Sequence, residues 1–247
     1  MSAARRSASP NRPLPDRSRS PNRLLAALPP ADYQRILPSL RVTPMKFKQV
    51  LQKHGEKVTT IYFPWGGVCS IVNVMQDGRM VEVATVGREG MVGITAFLGG
   101  DVPPGETFVQ VPDGDGQAMP VEAFRSEVAR NGPFRDLMNR WAQALTAMIM
   151  QSTACNGLHT VEERCARWLL MTHDRVDGNE FQLTHEFLAI MLGVRRPSVT
   201  LVMGTLHEAG IIDHGRKRTR IVDRRGLEAA SCECYAVVKA QFDRLLP

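Results

Sequence analysis

The stretch that most restricts this chain runs from Phe181 to Gly226, FQLTHEFLAIMLGVRRPSVTLVMGTLHEAGIIDHGRKRTRIVDRRG. Thr184 is a good N-cap for a short helix over His185–Leu192, and Gly193 follows where a left-handed residue lets the chain turn sharply. Ala189, four residues before that glycine, is small, as close crossing of two helices requires. Pro197 suits the first turn of a second helix, whose leading amides have no partners inside the helix. Leu188, Leu192, Val199 and Val202 supply the apolar faces that lock the pair together. Gly210 ends the second helix, and Ile211–Ile212 and Arg220–Val222 read as strands joined by a basic turn. The pattern is a helix-turn-helix followed by a wing, and such a unit grips double-stranded DNA. Arg195 and Arg196 stand at the entry of the second helix, the end that meets base edges, where arginine can bond a guanine bidentately. Base contact is assigned first to Arg196 and phosphate contact to Arg195. Ser198 and Thr200 are short donors suited to phosphate. Arg216, Lys217, Arg218 and Arg220 on the wing also suit phosphates, which position a protein without reading sequence. The bland alternative is a helical hairpin with arginines on a solvated face, but the small residue, turn glycine, apolar pairs and basic wing occur in one order.

Charge is distributed in keeping with this reading. Residues 1–23 carry six arginines against one aspartate, residues 24–155 balance twelve basic against twelve acidic groups, and residues 193–225 hold eight basic against three acidic. Two basic islands therefore flank a neutral body, and such islands attract phosphates through counterion release. Residues 1–23 have almost no large apolar side chains and are expected to form a disordered basic arm. No apolar stretch approaches the roughly 20 residues of a membrane span, and the N-terminus has no apolar signal core, so a cytoplasmic protein without membrane contact is expected.

From Leu24 to Leu40, LLAALPPADYQRILPSL predicts short helical turns broken at Pro29 and Pro30. Between Arg41 and Val121 the runs KVTTIYF, GVCSIVNVM, RMVEVATV, TFVQV and QAMPV alternate with WGG, QDG, GREG and PDGDG. These are strands and turns, with Asp77-Gly78 marking a hairpin, and their spacing predicts an antiparallel barrel or roll able to enclose a small ligand. From Pro133 the period becomes helical. Phe134, Met138, Trp141, Leu145, Met148, Ser152 and Cys155 recur at steps of four and three, the pattern of a coiled-coil seam. The expectation is a dimerisation helix, with the alternative that the same stripe packs on the roll of its own chain. Asn156 and Gly157 interrupt it, and a further helix is expected over about Thr160–Arg175. The fold class is thus α+β, with a cupin-like antiparallel β-roll at 24–132, a long helix at 133–157 and a winged helix-turn-helix domain at 158–247.

The order of roll, long helix and winged helix-turn-helix, over about Leu24 to Arg225, resembles the Crp/Fnr regulators. The most specific stretches are IYFPWGGVCSIV, DGRMVEVATVGREGMVG and LTHEFLAIMLGVRRPSVTLVMGTLHEAGII. The resemblance implies a homodimer whose paired second helices read a two-fold related DNA site, with RNA polymerase as a further partner. It places Arg196 where the family has an arginine on guanine and Arg195 near backbone phosphates. Pro197 stands where many members have a cytosine-reading glutamate, and Leu201 where the cyclic AMP receptor protein has another arginine. The familiar operator is therefore not expected here. Gly93-Ile94-Thr95 matches the segment where cyclic-nucleotide members carry a Gly-Glu pair for the ribose, and no arginine occurs between Arg88 and Arg125. A buried cyclic phosphate without that partner would be costly, so Gly93, Ile94 and Thr95 mark at most a pocket for another, unidentified small molecule. Only Cys69 precedes residue 155, so the cysteine set of the iron-sulfur members is absent.

No nucleophile elbow, phosphate loop or HExxH motif is present, and an enzyme is not expected. Cys232 and Cys234 in SCECY are placed on a helix from about Gly226 to Leu245. There a spacing of two sends them to different faces, as packing thiols rather than a redox or metal pair. Cys155, Cys165, His159 and His173 match no zinc spacing, and no cofactor or metal is expected. The competing functional class is a small-molecule or redox sensor acting mainly through protein contacts, with the winged unit as an interaction module.

Overall fold

The computed structural model describes residues 20–215 and 217–246. The expected disordered arm lies outside the described residues up to position 19, but its last part is ordered. Ser20 and Asn22 are buried. Asn22 caps the first helix, α1 (Arg23–Ala26), by accepting from the Leu25 amide, and its side-chain amide donates to the carbonyls of Pro64 at 2.8 Å and Gly90 at 2.9 Å. One asparagine thus satisfies three backbone groups and ties this stretch to the roll ahead of Leu24. Pro30 opens α2 (Pro30–Ile36).

The body that follows has seven strands, β1 (Arg41–Pro44), β2 (Val50–Gln52), β3 (Thr60–Pro64), β4 (Val68–Val74), β5 (Met80–Val86), β6 (Glu106–Val111) and β7 (Asp115–Pro120), with a one-turn helix α3 (Ile94–Phe97) between β5 and β6. They form two antiparallel sheets, ordered β2-β6-β4-β5 and β1-β7-β3. The expected hairpin at Asp77-Gly78 joins β4 to β5, with Gly78 at φ 82°. Ile61 and Phe63 from one sheet and Val72, Val86 and Val109 from the other are buried in one shared core.

Two helices, α4 (Val121–Ala129) and α5 (Pro133–Leu158), lead away from the roll. The structure answers the choice left open for the α5 stripe. Phe134, Met138, Trp141, Leu145, Met148 and Ser152 are all buried within their own chain, none more than 7% exposed. Trp141 stacks edge-on against Phe242, and its indole lies so close to Gly90 that any Cβ there would sit 2.2 Å from the ring. Met148 lies beneath Thr85 of β5, and Ser152 accepts from Arg167. This stripe is therefore intramolecular and does not form the expected dimer seam. A periodic apolar stripe specifies which face is buried, not whose atoms bury it. The opposite face of α5 carries half-buried Ala142 and the exposed Thr146, Met150 at 68% exposure and Thr153.

The C-terminal part contains α6 (Val161–His173), β8 (Glu180–Gln182), α7 (His185–Leu192), α8 (Arg196–Glu208), β9 (Ile212–His214), β10 (Arg218–Ile221), α9 (Arg224–Ala230) and α10 (Cys234–Leu245). Thr160 and Glu163 form a capping box at the start of α6, so Glu163 serves the helix end and is held below its usual carboxylate range by hydrogen bonds from the Thr160 hydroxyl and amide. The single helix expected over 226–245 is two helices broken at 231–233. Ser231 bonds back to the Glu228 carbonyl, and Cys232 therefore lies before α10 rather than on it. Both Cys232 and Cys234 face Cys155, a juxtaposition that the expectation of opposite helix faces excluded. Among the described residues, no single helix is long and apolar enough to cross a membrane.

Candidate nucleic-acid interface

The turn between α7 and α8 is built as its residue types require. The Thr184 side chain accepts from the Phe187 amide at 3.2 Å, and Gly193 adopts φ 64° and ψ 35°, a left-handed geometry that glycine reaches at least cost. The two helices meet at a bend of 110°, within the range of helix-turn-helix pairs. Leu188, Leu192, Val199 and Val202 are buried between them, and Ala189 is 4% exposed at the crossing. Behind the turn, Arg164 of α6 donates to the Leu192 carbonyl, satisfying an α7 end group that no helix residue can reach.

Arg195 occupies the N-cap position of α8 without a side-chain cap, and Pro197 fills its first turn. Arg195 and Arg196 are exposed, and among the described residues neither has a salt-bridge partner. Two guanidinium groups therefore stand beside the positive end of a 13-residue helix. Pro197, Thr200, Leu201 and Thr205 continue this outward face, with Leu201 73% exposed. Ser198 is half-buried. The Thr200 hydroxyl is already engaged, donating to the Arg196 carbonyl at 3.2 Å and lying 3.1 Å from His185 Nδ1.

The wing has one strand more than its sequence suggested. β10 pairs with β9 on one side and with β8 on the other, with Thr219 opposite His214 and Phe181. The three residues of β8, Glu180-Phe181-Gln182, are too short a run for their alternation to announce a strand, so only the pairing identifies them as one. Lys217 is exposed at the tip, and Arg216 lies outside the described residues. Arg218 pairs with Glu180 at 2.9 Å and Arg220 with Asp213 at 3.0 Å, all at the surface. Such pairs contribute about 0–1 kcal/mol each, so the arginines can exchange their partners for phosphate at little cost.

Sequence reasoning missed a histidine group under α8. His185, His214 and His207 stand with ring centroids 5.1 Å and 5.2 Å apart in series. Burial, then the neighbouring His214 and Arg196, push His185 below its usual range, and burial and then His207 do the same to His214. No local pattern announces this group, because its members come from α7, α8 and β9.

The junction between roll and winged unit is also polar. Glu82 of β5 accepts from Ser70 at 2.6 Å and from the indole of Trp168 on α6 at 2.9 Å, and burial pushes its carboxyl up to about 7. Arg175, just beyond α6, forms a buried ion pair with Glu89 at 2.8 Å. A groove of about 600 Å³ is lined by Phe108 of β6 and Phe187 of α7, whose rings touch edge-on, together with Lys48 and Lys217. Gly93, Ile94 and Thr95 do not line it. They lie at the start of α3, where a Cβ on Gly93 would meet Ile61 at 2.4 Å.

Comparison with known proteins agrees with this architecture. The Crp-like helix-turn-helix domain family matches residues 163–230. Among solved structures the chain is similar to FixK2 from Bradyrhizobium japonicum, with a TM-score of 0.67 and 15% identity over 78% of this chain and 98% of that one. It is similar to the c-di-GMP-responsive global regulator CLP of Xanthomonas campestris, with a TM-score of 0.61 and 15% identity over 77% and 98%. A CRP-family transcriptional regulator from Thermus thermophilus gives 0.59 and 20% over 77% and 96%. No functionally curated protein matches in sequence.

Proposed function

From the premise that this chain carries a Crp-like helix-turn-helix domain on the fold of Crp/Fnr transcription regulators, we propose that it acts as a homodimer reading a two-fold related DNA site through α8. The observation that carries the reading is the exposed Arg195–Arg196 step at the uncapped start of α8, without a salt-bridge partner among the described residues and beside a wing bearing Lys217, Arg218 and Arg220. Arg196 takes a guanine edge. Arg195, Ser198, Lys217, Arg218 and Arg220 take phosphates, together with Arg216 by its place in the sequence. Thr200, whose hydroxyl is occupied, orients Arg196 and His185 instead. Leu201 is a large apolar side chain on a reading face, and a thymine methyl group is the base feature it suits.

The dimer forms through the outer face of α5, around Ala142, Thr146, Ile149, Met150 and Thr153. Thr146 and Thr153 donate their hydroxyls to the helix carbonyls of Ala142 and Ile149 at 2.8 Å and 3.0 Å, so this face can lose water without stranding a donor. That arrangement supports a second copy of the chain as its occupant.

The test is binding to DNA fragments selected from random duplexes, at two salt concentrations and with competitor DNA. Arg196→Ala is expected to cost about 1–3 kcal/mol and to relax one base position, whereas Lys217→Ala weakens all sequences alike and lowers the salt slope by about 1. Equal affinity for every fragment would refute sequence reading. Retained regulatory function after charge reversal at Arg195, Arg196 and Arg218 would favour action through protein contacts.

A further inference from the structure

We infer that Cys155, His159, Cys232 and Cys234 form a zinc site at the joint between α5 and the winged unit. One ligand atom from each of the four lies within 4.8 Å of every other, and all three cysteines are buried. Cys155 Sγ is 3.5 Å from Cys232 Sγ, and Cys234 Sγ is 3.5 Å from His159 Nδ1. Tetrahedral zinc, with Zn–S near 2.3 Å and Zn–N near 2.0–2.1 Å, sets adjacent sulfurs about 3.7 Å apart and sulfur to nitrogen about 3.5 Å apart. These two observed spacings are close to those of a Cys3His set, and the remaining ligand pairs lie within 4.8 Å. Three thiols and one imidazole favour zinc over the oxygen-seeking cations, and four protein ligands make the site closed and structural rather than catalytic.

The surroundings complete the design. The other imidazole nitrogen, His159 Nε2, stands 3.1 Å from a Glu233 carboxylate oxygen, which fixes the ring with Nδ1 toward the sulfurs. Gln151 donates to Cys234 Sγ at 3.0 Å, as a partner of thiolate sulfur should. Arg167, buried beside the cluster, supplies positive charge against the three thiolates. Binding transfers the three thiol protons to solvent, leaving the thiolates on the metal.

The ligands come from the last turn of α5, the link between α5 and α6, the break at 231–233 and the first residue of α10. The break that leaves Cys232 off the helix is what lets both cysteines of the SCECY segment reach one point. Occupancy would fasten the C-terminal helix to the two-residue link between α5 and α6. The remaining two cysteines, Cys69 and Cys165, lie apart from the cluster in the core, and they provide internal controls.

The full chain, purified under reducing conditions without chelator, is expected to hold one zinc per chain by elemental analysis. Stripped with a chelator and titrated with Co(II), the reduced protein should give thiolate-to-cobalt charge transfer and the strong visible bands of tetrahedral cobalt, both abolished by added Zn(II). These readouts need neither mutation nor DNA, so their failure is separable from failure of the regulator reading. Cys155→Ser and Cys234→Ser should lose the metal, Cys69→Ala and Cys165→Ala should keep it, and Glu233→Gln should weaken zinc by about 10-fold. The proposal is overturned by absence of both zinc and the cobalt bands, by bands unchanged in Cys234→Ser, or by isolation of the reduced-handled protein with a Cys155–Cys232 disulfide.

Discussion

Replacing Gly193 and Gly204 by alanine, one at a time, tests the helix-turn-helix geometry through two effects of opposite sign. Gly193 sits at φ 64°, and a Cβ there would lie 3.2 Å from Cγ2 of Val81 on the roll. Holding an L-residue in the left-handed region costs about 1–2 kcal/mol, and the tight contact with Val81 adds to it. Gly204 lies inside α8 with no atom within 4 Å of an added Cβ. Alanine there removes the backbone entropy cost of a helical glycine and stabilises by about 0.5–1 kcal/mol. The two variants should therefore differ by about 2–3 kcal/mol although each adds a single methyl group. Urea unfolding followed by tryptophan fluorescence reads this directly, because Trp168 lies on α6 beneath the motif. The midpoints should move apart with unchanged slopes. Wild-type or greater stability in Gly193→Ala, or shifts of one sign in both variants, would refute the assigned turn.

Three further expectations concern the junction and the outer face of α5. Arg175→Ala leaves Glu89 buried without its cation and strips the Met171 carbonyl of the guanidinium that donates to it at 2.7 Å; a loss of about 3–5 kcal/mol is expected in denaturant melts, and a loss under 1 kcal/mol would show that the pair is not buried in solution. Glu82 has its carboxyl raised by burial from 4.5 to about 7, so the native state favours its neutral form. Its stabilising contribution is full below pH 4.5 and is lost as pH rises toward about 7. The stability gap between Glu82→Gln and the parent chain should accordingly widen across that window and then level off, whereas parallel pH profiles would contradict the assignment. Met150→Glu, at a position 68% exposed, should leave chain stability within about 0.5 kcal/mol while converting dimer to monomer in sedimentation. An unchanged sedimentation coefficient would exclude the outer face of α5 as the interface.

Local chemistry made much of this protein legible from its residues. The Thr184 cap, the turn at Gly193, Pro197 and the spacing of Leu188, Leu192, Val199 and Val202 specify two helices and the bend between them without reference to any distant atom. The runs between Arg41 and Val121 likewise announce strands, and Asp77-Gly78 a hairpin, because alternation and turn preference are properties of a few adjacent residues. Which surfaces meet was a different matter. The α5 stripe was visible as a face to be buried, yet only the fold shows Trp141 closing over Gly90 and Phe242 rather than over a second subunit. The strand at Glu180–Gln182 exists because β10 offers it an edge. The histidine group under α8 and the four-residue sulfur and imidazole cluster assemble from residues far apart in sequence, Cys155 and Cys232 being 77 positions apart. The chain encodes periodicity and turns through short-range sterics and hydrogen bonding. Partnership across the core depends on how all the buried faces fill space together, and that is decided only when the tertiary structure closes.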